Sequence, residues 1–157
     1  MTRIFITIVS LSCFCGCGEK QPDGFPPLHS VTISIKENAV PLENVNVAFY
    51  NEDGSIPQWS IGGVTDAKGI TQLKTYGKYD GVPEGIYKVV LSKQERKNAP
   101  EAPAPGSLRE EFDVYEEQMI KYPAIESIPK EYTSANTTTL TVTVTQKTVA
   151  DFDIGKQ

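Results

Sequence analysis

The chain has 157 residues, 39% of them hydrophobic, with 20 acidic and 15 basic side chains and a formal net charge of -5. That length suits one globular domain and excludes a multidomain enzyme. An acidic chain without long basic runs is also no electrostatic nucleic-acid binder, because neutralising phosphates needs clustered Lys and Arg.

Residues Met1 to Gly18 carry one charge, Arg3, ahead of an apolar run of eleven residues that includes Ile4, Phe5, Ile8, Leu11 and Phe14. A membrane-spanning helix takes about 20 apolar residues. A positive start followed by a short apolar core is instead the pattern of a secretory signal. All three cysteines, Cys13, Cys15 and Cys17, end this run, so no disulfide staples the exported domain. As a metal site the three thiols lack a fourth ligand and a fold to hold them, and neither metal nor cofactor is expected. Phe14-Cys15-Gly16-Cys17 resembles the lipobox of bacterial lipoproteins, in which a small residue precedes the cysteine that is lipidated and becomes the new N-terminus. The resemblance implies a signal peptide over residues 1–17 with lipidation at Cys17, and Cys13, which follows Ser12, is the second candidate. Residues 18–28, with Pro22, Pro26, Pro27, Gly18 and Gly24, read as a flexible tether that adds nothing to the core.

From residue 29 to 157 the dominant period is two, the mark of half-buried strands. Val31, Ile33 and Ile35 form one apolar face, and Val45, Val47 and Phe49 a second. Tyr87, Val89 and Leu91 follow, then Leu140, Val142 and Val144 among threonines, and finally Ala150, Phe152 and Ile154 between aspartates. One sheet would leave these faces wet, so two sheets packed face to face, an all-β sandwich, are expected. Asp66-Ala67-Lys68-Gly69 between Val64 and Leu73 suits a hairpin whose type I turn is followed by a left-handed glycine, and Asn51-Glu52-Asp53-Gly54 marks another turn.

Between residues 94 and 123 the rhythm breaks. Pro100, Pro103 and Pro105 precede a helical spacing of Leu108, Phe112, Tyr115 and Met119. Ser107 and Glu110 have the spacing of a capping box, so an inserted loop or short helix is expected here, covering an edge or end of the sandwich. Its other face carries Glu110, Glu111, Asp113, Glu116 and Glu117, which opens the alternative of a docking element for a basic partner.

Three segments in order, Ala39 to Phe49, Gly63 to Gly69 and Pro83 to Val89, together with Ile128-Pro129-Lys130-Glu131-Tyr132 and Asp151-Phe152-Asp153-Ile154, resemble the carboxypeptidase regulatory-like, or transthyretin-like, domain of bacterial lipoproteins. The sequence departs from that pattern where Lys36, Glu37 and Asn38 stand at positions often held by Gly, and at Thr71, where an aromatic is common. The resemblance implies a seven-stranded Greek-key β-sandwich acting as an accessory or binding module without catalysis.

Catalytic signals are thin. His29 is the sole histidine and no Gly-x-Ser-x-Gly elbow accompanies a serine, so a minor hydrolase centred on His29 is the weakest reading. Glu52 with Asp53, and Asp151 with Asp153, lack the twelve-residue calcium-loop pattern. Trp59, Tyr76 and Tyr79 fall in or beside loops, where rings stack on sugars or anchor proteins. With Phe112 and Tyr115 they are the candidate binding residues. The expected function is a non-catalytic envelope lipoprotein, lipid-anchored to the bacterial cell membrane or outer membrane, whose β-sandwich in the periplasm or at the surface acts as a structural or protein-interaction module. Its partners would be the membrane and an envelope protein. A carbohydrate-binding module for envelope polysaccharide is the alternative.

Overall fold

The computed structural model describes residues 21–155. The signal segment with Cys13 and Cys17 lies outside the described residues. Seven principal strands and one helix follow in chain order: β1 (Val31–Glu37), β2 (Asn46–Asn51), β3 (Ile61–Val64), β4 (Ile70–Gln72), β5 (Gly85–Ser92), α1 (Arg109–Met119), β6 (Thr141–Val144) and β7 (Thr148–Asp153).

One sheet is ordered β6-β5-β2-β3 and is extended past β3 by Lys74–Thr75 and Tyr79–Asp80; the other places β1 between β7 and β4. The pairs β5–β6, β2–β5, β2–β3 and β1–β4 are antiparallel. β7 runs parallel to β1, from Thr148 opposite Val31 to Asp153 opposite Lys36. The expected inward faces line the core, with Leu140, Ala150 and Phe152 only partly buried against it. Val31, Ile33 and Ile35 from one sheet and Val47, Phe49, Tyr87, Val89, Leu91, Val142 and Val144 from the other share one core, joined by Ile154. Each such side chain contributes about 1.5–3 kcal/mol when fully buried.

The strand after the Asp66 turn shows how the sheets are joined. Gly69 takes φ 71° and its N–H donates to Asp66 O, while Asp66 Oδ1 accepts the N–H groups of Lys68 and Ile70. The turn is as expected, but the hairpin is not continuous. Residues 70–72 pair with β1 and Leu73 N–H donates to Val31 O, after which Lys74–Thr75 returns to pair with β3. A strand that changes sheets at a bend closes the corner of the sandwich. Gly63 is required there, because a Cβ would run into Thr71 Oγ1.

Two further contacts lock the ends. Tyr87 Oη donates to Pro83 O at 3.1 Å and its ring stacks on Phe49 at 5.2 Å, the tyrosine-corner arrangement of Greek-key sandwiches. Asp153, at the end of β7, accepts the backbone N–H groups of Asn38 and Ala39 at 2.9 and 2.8 Å. Those two residues stand at φ 51° and 66°, the left-handed region that favours glycine.

The insertion departs from expectation in its packing. Helix α1 forms, but Leu108, in extended conformation, occupies the cap position and no side chain caps it, so the Ser107–Glu110 capping box is not used. None of its residues is buried, so it covers no part of the core. The whole excursion hangs from a stem in which Gln94–Glu95 pairs with Ile125–Glu126. Glu126 Oε1 accepts Lys93 N–H at 2.8 Å to close the stem.

Candidate functional site

Trp59 precedes β3, and Tyr76 and Tyr79 flank the turn between Lys74–Thr75 and Tyr79–Asp80. That connection is three residues long, Tyr76 to Lys78, and begins with a tight turn in which Tyr76 stands at φ 56° and Gly77 at φ 66° and Lys78 N–H donates to Thr75 O. Positive φ at both central residues is the type I′ geometry, which suits the twist of a hairpin but is costly for a bulky side chain. The fold brings these three candidate rings together.

A fourth ring joins them from the segment read as a tether. A turn over residues 22–25, with Phe25 N–H donating to Pro22 O and Gly24 at φ 81°, sends Phe25 into the group. Its ring centroid is 4.6 Å from Trp59, 5.1 Å from Tyr79 and 6.2 Å from Tyr76. Trp59 and Tyr76 meet edge to face at 5.8 Å. Leu28–His29 then pairs with Val82–Pro83, so the end of the tether segment is tied to the sandwich just ahead of β1. Sequence reasoning passed over Phe25. Its signal was an aromatic between a Pro-Asp-Gly turn and Pro26-Pro27, where composition suggests only a linker.

Tyr76 keeps 51% of its surface exposed, and Ile56, in the loop that leads to Trp59, keeps 75%. Lys78 Nζ stands 5.6 Å from the Tyr79 ring centroid, and Lys74 pairs with Asp80 at 3.3 Å. Beside the rings an open depression of ~320 Å³ is lined by Ser60, Ile61, Gly62, Gly63 and Gly77. Phe112 and Tyr115 lie apart from this cluster on α1, where Phe112 is 37% and Val114 54% exposed.

The carboxylates weighed for calcium have other occupations. Asp53 Oδ1 accepts Ser55 N–H, Asp151 pairs with Lys36 at 2.7 Å, and Asp153 holds the turn after β1. Hydrogen bonds from Ser55, from the backbone of Gly155 and Ala39, and from Lys36 lower the pKa values of Asp53, Asp153 and Asp151, respectively, below the usual aspartate range. Among the described residues no three His, Cys, Asp or Glu side chains stand together as a metal would need. His29 is half-buried in its short ladder with Val82. Among the described residues no helix is long and apolar enough to cross a membrane.

No protein-family model matches the sequence, and no curated protein matches it. Among solved structures the chain is similar to the major pilin subunit of Bacillus cereus, with 13% identity and a TM-score of 0.44. The match covers 83% of this chain and 31% of that one, so the chain spans about a third of the pilin's length.

Proposed function

We propose that the protein is an exported envelope lipoprotein anchored through Cys17, whose carboxypeptidase regulatory-like sandwich is a non-catalytic module presenting α1 to a protein partner. Helix α1 carries this reading. A helix normally persists because its apolar face is covered by tertiary packing, yet on the face that holds Phe112 and Tyr115 the Phe112 ring remains exposed and no α1 residue is buried. Five carboxylates, Glu110, Glu111, Asp113, Glu116 and Glu117, fill the rest of the helix surface, and the last turn holds no basic residue to balance them. A groove that is apolar at its centre and rimmed by Lys and Arg is the complementary surface.

The test is crosslinking of the tagged protein in cells beside a Phe112→Glu/Tyr115→Glu double variant. Both substituted residues are outside the core, so circular dichroism should match the wild type. One recurrent protein, captured by the wild type, lost with the variant and released by added salt, is the expected result. Identical capture by both proteins overturns the docking role.

The carbohydrate alternative has one observation in its favour, the glycine-lined depression beside Tyr76. Against it, Phe25 lies within 4.6 Å of Trp59 and 5.1 Å of Tyr79 between ring centroids, so those two rings already pack at a tilt against a side chain of the protein itself. A polysaccharide-dependent rise in Tm that disappears in Trp59→Ala would support this alternative, and no shift across a panel of envelope polysaccharides would remove it.

A further inference from the structure

We propose that the aromatic end of the sandwich, with Phe25 held among Trp59, Tyr76 and Tyr79, is the face that the protein lays against the lipid bilayer. The proposal rests on the reading of Cys17 as the anchor.

Phe25 is eight residues from Cys17. At roughly 3.3–3.6 Å per extended residue, its backbone stays within about 29 Å of the anchored sulfur. Without the ring contacts, the first fixed point would be Leu28 in its ladder with Pro83, and the leash would be longer by three residues. Docking Phe25 therefore shortens the leash and fixes which end of the domain leads.

The strand directions show which end that is. β3 and β5 are both antiparallel to β2, so they run the same way and start at the same end. Trp59 lies just before β3, Thr75 pairs with both Ile61 at the start of β3 and Tyr79, and Pro83 of the Leu28 ladder lies just before β5. The stem of the α1 excursion leaves after Ser92, at the finish of β5. Seven steps of about 3.3 Å separate the two ends of that strand by about 23 Å. Anchoring by the aromatic end turns the acidic helix away from the bilayer.

The side chains at this end suit an interface. Trp and Tyr, with apolar bodies and polar tips, concentrate at the level of lipid headgroups. Tyr76 is half-exposed in a backbone conformation disfavoured for bulky residues, and Ile56 is exposed nearby in sequence to Trp59.

The experiment uses the chain from Cys17 onward, which contains every element of the fold and a single cysteine and a single tryptophan, Cys17 and Trp59. Cys17 is coupled through its thiol to a maleimide lipid in phosphatidylcholine–phosphatidylglycerol vesicles, so the outcome does not depend on whether cells lipidate it. Trp59 emission is compared between ordinary vesicles and vesicles whose acyl chains are brominated near the headgroup. The expected result is a loss of emission in the brominated vesicles that shrinks in Tyr76→Asp and in Phe25→Ala, both checked for an unchanged strand spectrum. Equal emission in the two vesicle types overturns the proposal, as does a Trp59 response to polysaccharide with none to lipid. Fatty-acid labelling of wild type against Cys17→Ser in cells tests the anchor separately. Equal labelling there would sink the anchor while leaving the vesicle result to stand or fall by itself.

Discussion

The turn after β1 concentrates strain in two residues and relieves it with a third that is 114 positions away from one of them. Asn38 and Ala39 are left-handed, and the Asp153 carboxylate gathers their N–H groups and that of Gly155. Left-handed backbone costs a non-glycine residue roughly 1–2 kcal/mol, while glycine loses about 0.5–1 kcal/mol more to its freedom in the unfolded chain. Ala39→Gly should therefore stabilise the protein by up to about 1 kcal/mol in denaturant titration. Asp153→Asn should do the reverse. The N–H groups of Gly155 and Ala39 hold the Asp153 pKa below its ordinary value, so its unfolded state binds the proton more readily. Its contribution is then present above the ordinary aspartate value near 3.9 and is lost as pH falls through the lower folded value. Tm followed from about pH 6 to about pH 3 should fall less steeply for Asp153→Asn than for the wild type, from a lower start. Parallel curves would show that Asp153 does not titrate as argued.

Among the elements, what could be read from the sequence divides along local and distant causes. The strands were legible because alternation at Val31, Ile33 and Ile35 or Val142 and Val144 reports directly which side of a pleat is dry. Helix α1 was legible for the same kind of reason, from Leu108, Phe112, Tyr115 and Met119, but periodicity records the face a helix could bury and not whether anything lies opposite it. Its exposed packing therefore could not be foreseen. Nor could the change of sheets at Leu73, since a turn motif fixes local φ and ψ and not the partner of the strand that leaves it. Of the candidate site, Trp59, Tyr76 and Tyr79 were legible as loop aromatics, whereas their convergence on Phe25 depends on contacts across more than 30 residues. Buried threonines are a similar case. Thr65 is 2% exposed; its Oγ1 accepts Val45 N–H at 2.9 Å and donates to Leu42 O at 2.7 Å, tying the lead into β2 to the end of β3. Thr65→Val keeps the shape but leaves a buried donor unpaired, which should cost about 1–3 kcal/mol of unfolding free energy. A loss below that range in urea titration would mean that the strand lead shifts to find another acceptor.

For the molecule as a whole, the sandwich and the α1 excursion are separable. The core cluster draws on both sheets and on Ile128 and Ile154, and includes no residue of α1. The stem closes the excursion at its base through the Gln94–Glu126 and Glu95–Ile125 pairs, with Ser127 N–H donating to Lys93 O. Arg96 ties the helix end back toward the stem through the carbonyls of Met119 and Tyr122, within the excursion itself. Replacing residues 97–123 by a four-residue glycine-containing turn should then leave the sandwich folded. Closing a loop costs about 0.6 kcal/mol more for each doubling of its length, so shortening this one returns on the order of 1–2 kcal/mol. No buried side chain of α1 is lost to offset it. The expected outcome is a Tm equal to or above that of the full protein, with the partner captured through Phe112 and Tyr115 gone and Trp59 quenching on vesicles retained. A large drop in Tm would mean that the excursion supports the sandwich, and loss of the Trp59 response with it would show that the two ends do not act independently.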